Sequence, residues 1–239
     1  MTDKTLAELK RAGFFSFACG IENGSPTALA RMNKSSTVDD NIRALDLFKK
    51  YDYYVQMGYI LFDKDTTFQE LLENYEFLNK YKFAITKGIF SEMFSTEGTK
   101  LNDKLKKKSI IKDSNFCGNN KYDIEDDMVR KVYYSLKKWH KSHSKIYDMT
   151  IDPLTAPKAI SEYEMYEFYT NILKLKDLDL KMFKQILYMV KTYDNLDIDR
   201  YTDHMISQTE KDYKDITEDV EKVYVKSKLK YKADTNPFI

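Results

Sequence analysis

The sequence predicts an α/β fold: the C-terminal half of a partial (β/α) barrel, with about three parallel strands and crossover helices, followed by an α-helical C-terminal region. Two observations carry this. Up to about residue 98, short apolar runs alternate with amphipathic segments in the order strand, helix, strand, helix, strand. That order argues for parallel strands joined by helical crossovers. From about residue 121 onward, apolar residues recur only at helical spacing.

Residues 14–21, FFSFACGI, read as a buried strand that runs into the glycine turn GIENGSP at 20–26. Residues 37–50 read as a helix, capped by Ser36 or Thr37, with Ile42, Leu45 and Phe48 on its apolar face. Residues 53–62, YYVQMGYILF, are the second strand. Residues 67–80 are the second helix; Thr67 and Glu70 form its capping box, and Leu71, Leu72, Tyr75 and Leu78 supply its apolar face. Residues 83–90, FAITKGIF, are the third strand, and 99–120 read as a connecting loop with one helical turn. Three helical stripes follow: Met128 to Trp139; Ile160, Tyr163, Tyr166 and Tyr169; and Leu180 to Val190. A last helix spans about Ile198 to Tyr224, and IDPLTAP (151–157) breaks the helical run at its prolines. The expected boundaries are 1–105 for the half-barrel, 106–120 for a linker and 121–239 for the helical extension.

The 239 residues carry 39 basic and 38 acidic side chains, a net charge of +1, so no global field favours nucleic acid or an anionic membrane. Cys19 and Cys117 lie too far apart in sequence to suggest a disulfide framework, and a reduced, cytoplasmic protein is the expectation. No apolar signal core and no membrane-length run is present. Seven glycines and four prolines are few for a complete α/β enzyme. A three-stranded parallel sheet also leaves open edges and an uncovered face. The chain therefore reads as the back part of something larger. Its expected partner is a separate N-terminal half, or another protein, at an exposed sheet edge.

Several short motifs occur in order: GIENGS (20–25); Leu29, Met32, Lys34, Thr37, Asn41 and Ala44; GYILFD (58–63); Thr66, Thr67, Glu70, Leu71 and Asn74; and EGTKL (97–101). Together, over residues 6–105, they resemble the second half of a radical S-adenosylmethionine (SAM) domain, most of all the cobalamin-dependent type. The resemblance implies a partial barrel that binds SAM beside a [4Fe–4S] cluster. Such a cluster is held by a C-x3-C-x2-C loop, and three thiolates from a compact loop leave one iron open. No such loop occurs in this sequence. The cluster, and any cobalamin, would come only through a missing N-terminal half.

The resemblance also implies cofactor-binding positions. Glu22 matches the residue that meets the SAM ribose hydroxyls, a task that suits an acceptor-only carboxylate. Lys34 matches the basic residue that pairs with the methionine carboxylate, and Asn23 and Ser25 shape the turn. Gly24 is expected to supply a positive φ. Plainer readings stand beside these: Glu22 as a turn cap, Lys34 as a solvated lysine, and Asp63 as a helix cap with Asp65 and Thr66. His140 and His143, in the basic KKWHKSHSK, read as a solvated helix face rather than a metal site, and the tyrosine stripes as packing. The basic run 104–112 reads as a solvated loop. The function implied is the C-terminal portion of a radical SAM enzyme that contributes SAM and substrate-cavity contacts. The alternative is a non-catalytic partner-binding subunit or degenerate remnant.

Overall fold

The computed structural model describes residues 2–96, 98–107, 113–114, 119–121, 123–150 and 160–234. Cys117, IDPLTAP, Glu97 of the EGTKL motif and residues 108–112 of the basic run lie outside these. Helix α1 (Asp3–Arg11) leads into β1 (Ser16–Glu22), and a short α2 (Pro26–Arg31) leaves the turn after it. Then follow α3 (Val38–Lys50), β2 (Tyr54–Tyr59), α4 (Phe68–Lys80) and β3 (Ala84–Ile85). The three strands are parallel, in the order β1-β2-β3. Both crossover helices begin with capping boxes, Thr37 with Asp40 and Thr67 with Glu70. Each box satisfies two amide donors that the first helical turn leaves open.

The third strand is much shorter than its apolar run suggests. Only Ala84 and Ile85 pair, with Val55 and Gln56, and the chain then swings away from β2. After β4 (Ser95–Thr96), the region read as a loop holds α5 (Lys100–Lys107), β5 (Asp113–Ser114) and most of β6 (Asn119–Lys121), and β6 pairs antiparallel with both β4 and β5. The rest is helical: α6 (Asp127–Ser142), α7 (Ser144–Met149), α8 (Glu162–Thr192) and α9 (Ile198–Asp234). The second and third helical stripes thus share one 31-residue helix. Its buried face at the start is Met165, Phe168 and Ile172, whereas Tyr163 and Tyr166 are exposed. A stripe of amphipathic tyrosines fits a wet surface as well as a core, so spacing alone does not choose.

Alternation along the strands gives the sheet two unlike faces. Phe17, Cys19, Ile21, Val55 and Met57 belong to the core under α3 and α4, where the Phe17 ring lies 5.0 Å from Phe48 and 4.8 Å from Tyr53. The opposite face carries Ala18, Gly20 and Gly58, all exposed. In barrel terms the helix-covered outside is complete and the inside is hollow. Among the described residues, β1 pairs only with β2 and is an edge strand.

The helical region joins the sheet at two buried ionisable side chains on α8, Lys176 and Asp179. The Lys176 ammonium donates to the backbone carbonyls of Tyr81, at 3.3 Å, and Ala84. One turn on, Asp179 accepts from Trp139 Nε1 (2.7 Å), Tyr147 Oη (2.6 Å) and Tyr213 Oη. Three helices thereby converge on one carboxylate. Burial pushes the Asp179 carboxyl up and the Lys176 ammonium down. Among the described residues, no helix is long and apolar enough to cross a membrane.

His143 stacks on Tyr213 with ring centroids 3.5 Å apart, and its Nδ1 lies 2.8 Å from the Trp139 carbonyl. A carbonyl only accepts, so Nδ1 carries the proton and Nε2 is the basic nitrogen. Burial lowers its pKa to about 4. An unfolded histidine titrates near 6.5, so the unfolded chain binds the extra proton first as pH falls. This group therefore costs stability between about pH 6.5 and pH 4. Asp179, raised to about 6, acts with the opposite sign in much of that window. The His143→Phe variant keeps the stack and removes the titration. Urea unfolding should show the wild type losing stability relative to this variant as pH falls from about 6.5 to 4. A difference constant with pH would contradict the assignment.

Candidate functional site

Strand β1 ends in a bulge. Gly20 pairs with Gly58 and Glu22 with Tyr59, so Ile21 is the extra residue. The bulge turns Ile21 into the core and leaves Glu22 in the left-handed region, at φ 66°. That conformation costs a non-glycine residue about 1–2 kcal/mol. The positive φ expected at Gly24 is therefore at Glu22 instead. Gly24 is small for a different reason: a Cβ there would lie 2.5 Å from the Phe77 Cβ and 2.7 Å from its Cγ. The turn is pressed directly onto α4.

Backbone and amide side chains fix this turn. The Gly24 N–H donates to Asn74 Oδ1 at 2.8 Å, and Tyr59 Oη donates to the same oxygen. Asn74 Nδ2 donates to the Glu70 carbonyl at 2.7 Å. Asn41 Nδ2 donates to the Ile21 carbonyl at 2.9 Å. Asn23 Nδ2 donates to the Ile60 carbonyl at 2.7 Å, and its Oδ1 accepts from the Ser25 N–H at 2.8 Å. Ser25 Oγ lies 3.0 Å from Thr27 Oγ1. Asn23 and Ser25 are buried, and Asn23 ties the turn to the end of β2.

Glu22 and Lys34 are the two sequence-predicted site residues whose side chains reach solvent, and they meet each other. Lys34 Nζ lies 3.0 Å from Glu22 Oε1. The carboxylate folds back over Gly20: a Cβ on Gly20 would lie 2.6 Å from Glu22 Oε1. Gly58 sits alongside, where an added Cβ would meet the Gly20 Cα at 3.5 Å. The result is a carboxylate above a two-glycine floor, on the hollow face, at the C-terminal ends of β1 and β2. Ligands of open α/β sheets bind at this end of the strands.

A clamp that sequence reading missed holds α2, and with it Lys34. Arg31 donates bidentately to Glu70 (2.8 and 2.8 Å) and through Nε to Asp63 (2.8 Å). Burial alone would raise the Glu70 carboxyl, but hydrogen bonds from Arg31, Thr27 and the Thr67 amide outweigh it and lower its pKa. Asp63 also accepts from the Asp65 amide at 2.9 Å and from Thr66 Oγ1 at 3.1 Å, as a capping residue does. Arg31 stands 32 and 39 positions from its partners, a distance at which no local pattern pairs them.

The residues present do not suit an iron–sulfur cluster. Cys19 faces the sheet–helix core, and burial raises its thiol to about 11, so it holds its proton at neutral pH. One protonated thiol does not provide a three-thiolate loop.

No family model and no curated protein matches the chain. Solved structures do. "Structure of Cobalamin-dependent S-adenosylmethionine radical enzyme OxsB with aqua-cobalamin bound" shares the fold at a TM-score of 0.62 and 14% identity, over 98% of this chain and 40% of that one. The same enzyme with aqua-cobalamin and S-adenosylmethionine bound gives the same values. Its apo form gives a TM-score of 0.60 at 16% identity, over 97% and 38%. The chain thus spans about 40% of the length of these structures, and at this identity the likeness is one of fold.

The Gly24–Phe77 approach is directly testable. Gly24→Ala forces Phe77 or the turn to move and should cost about 1–3 kcal/mol, as overpacking typically does. Urea unfolding would measure this, and an unchanged midpoint would show that the turn is not pressed onto α4.

Proposed function

We propose that this chain is the C-terminal portion of a radical SAM enzyme, supplying one wall of the SAM site. The observation that carries this reading is the Glu22 carboxylate, set by a bulge over a glycine floor on the hollow face of the half-barrel. An acceptor-only carboxylate suits the two hydroxyls of a ribose. Lys34 suits the methionine carboxylate as a point charge on a flexible stem. In the ligand-free chain the two neutralise each other. An ion pair this exposed is worth about 0–1 kcal/mol, so it opens readily. Lys34 then leaves for the ligand carboxylate, and both oxygens of Glu22 face the ribose. Asn23 and Ser25 hold the turn in shape.

In enzymes of this class, SAM beside a reduced cluster supplies a 5′-deoxyadenosyl radical for hydrogen-atom abstraction. No part of electron delivery is assigned to this chain, because its cysteines do not suit a cluster. We place the cluster, and any cobalamin, on an N-terminal half beside the free edge of β1. That same edge supports a second reading, a non-catalytic subunit that takes a partner's strand. Size-exclusion chromatography bears on both, and a stable, well-behaved monomer would weigh against an obligate partner.

Two outcomes test the main reading. Calorimetric titration of the full chain with SAM should show Glu22→Gln binding about tenfold or more weakly, the scale of one charge-assisted hydrogen bond. Equal affinity would remove Glu22 from the site. Reconstitution with iron and sulfide should give no [4Fe–4S] absorbance from this chain, and a cysteine-dependent cluster spectrum would contradict the assignment of the cluster elsewhere.

A further inference from the structure

Beside the glycine floor, and sharing Gly58 with it, the sheet has a second opening. Strands β2 and β3 pair at Val55–Ala84 and Gln56–Ile85, then part. They rejoin at a bridge between Phe62 and Glu92, where the Leu61 and Phe62 amides both donate to the Ser91 carbonyl, at 3.2 and 3.0 Å. Between these points lies a cavity of about 490 Å³, bounded by Met57–Tyr59 on one side and Thr86–Glu92 on the other. Pockets that take small molecules commonly run from 300 to 1,000 Å³. Along this stretch, the side of Met57–Tyr59 facing away from β1 has no ladder partner among the described residues.

His140 of α6 lines the opening. Its ring stacks on Tyr147 at 4.6 Å with planes 11° apart, and lies 5.8 Å from the Phe90 ring. Its Nδ1 is buried and has no hydrogen-bond partner among the described residues. Gly88, at φ 70°, makes room for that nitrogen: a Cβ there would lie 2.8 Å from it. Desolvation lowers the His140 pKa, so the ring is neutral at neutral pH. The solvated helix face expected from the basic surroundings is thus not where His140 sits. A buried polar atom left unpaired is destabilising, and a ligand that pairs it removes that cost.

The charge of the lining narrows the ligand. Lys87 lies 3.7 Å from Asp148, and Glu92 lies 3.8 Å from Lys137 and accepts from Tyr133 Oη at 2.5 Å. Both charged groups are already matched. The rest of the wall is mainly apolar, with Ile89 and Phe90 inside and Phe94 exposed at the rim.

We propose that this opening binds an uncharged, ring-sized organic molecule whose hydroxyl group hydrogen-bonds to His140 Nδ1. A hydroxyl both donates and accepts, so it serves either tautomer of the imidazole. The opening adjoins the glycine floor, since Gly58 and Tyr59 border both, but the hydroxyl site is assigned to His140 and does not rest on the SAM reading.

Phenol is the test probe, with toluene and phenyl phosphate as comparisons. The full chain has three histidines, so ¹⁵N-histidine spectra are simple, and His140→Phe, which keeps the ring on Tyr147, assigns the resonance. Phenol should shift the His140 Nδ1 resonance saturably, and toluene and phenyl phosphate should bind at least about tenfold more weakly. In His140→Phe, the preference for phenol over toluene should disappear. A failure of phenol to saturate, a toluene or phenyl phosphate affinity equal to that of phenol, or an unchanged preference in the variant would each overturn the proposal. The same titration in Glu22→Gln should be unaltered.

Discussion

The geometry at the end of β1 depends on one buried side chain. Asn74 receives the Gly24 amide and the Tyr59 hydroxyl on one oxygen and gives its own N–H to the Glu70 carbonyl. It joins the turn after β1, the end of β2 and the first turns of α4. With no Cβ at Gly24, the turn can approach Phe77 closely enough for these bonds to form. The left-handed Glu22 is then held by its surroundings rather than by its own preference. Strained residues persist where neighbouring structure over-determines them. The Arg31 clamp continues the same logic by tying α2 to Asp63 and Glu70, which sets the start of the segment that carries Lys34.

The two faces of the sheet explain what the fold lacks and what it provides. The outer face is closed by aromatic and aliphatic packing against α3 and α4. Toward the C-terminal ends of the strands the inner face presents Ala18, Gly20 and Gly58, which expose backbone and little side chain. A sheet that ended here would waste half its burial capacity and leave the edge of β1 open. The helical region covers that face at Tyr54, whose ring packs on Tyr169 of α8, and leaves Ala18, Gly20 and Gly58 exposed. It docks beside β3, where Lys176 reaches the Tyr81 and Ala84 carbonyls and Asp179 collects Trp139, Tyr147 and Tyr213. Free space thus remains where the glycine floor lies, and again where β2 and β3 part.

Much of this was legible in the sequence. The strand–helix alternation located β1, α3, β2 and α4, because amphipathic periodicity and capping boxes are local signals. The ordered motif also marked Asn41, Thr66, Thr67, Glu70 and Asn74, and each now has a bond that accounts for it. What the sequence hid was mostly non-local. Apolar content alone made FAITKGIF a strand, but a positive φ at Gly88 and the departure from β2 end it after two residues. Gly24 was assigned a backbone conformation when its role is close approach. His140 looked solvated because its lysine neighbours are in sequence, whereas Tyr147, Phe90 and Gly88 are its neighbours in space.

We propose the turn after β1 as one wall of a SAM site on the exposed inner face of the sheet, and backbone amide NMR of the full chain during a SAM titration probes that wall residue by residue. Binding there should give saturable shifts clustered at Gly20, Glu22, Gly58 and Lys34. Shifts confined to other surfaces, or none at saturating SAM, would contradict it.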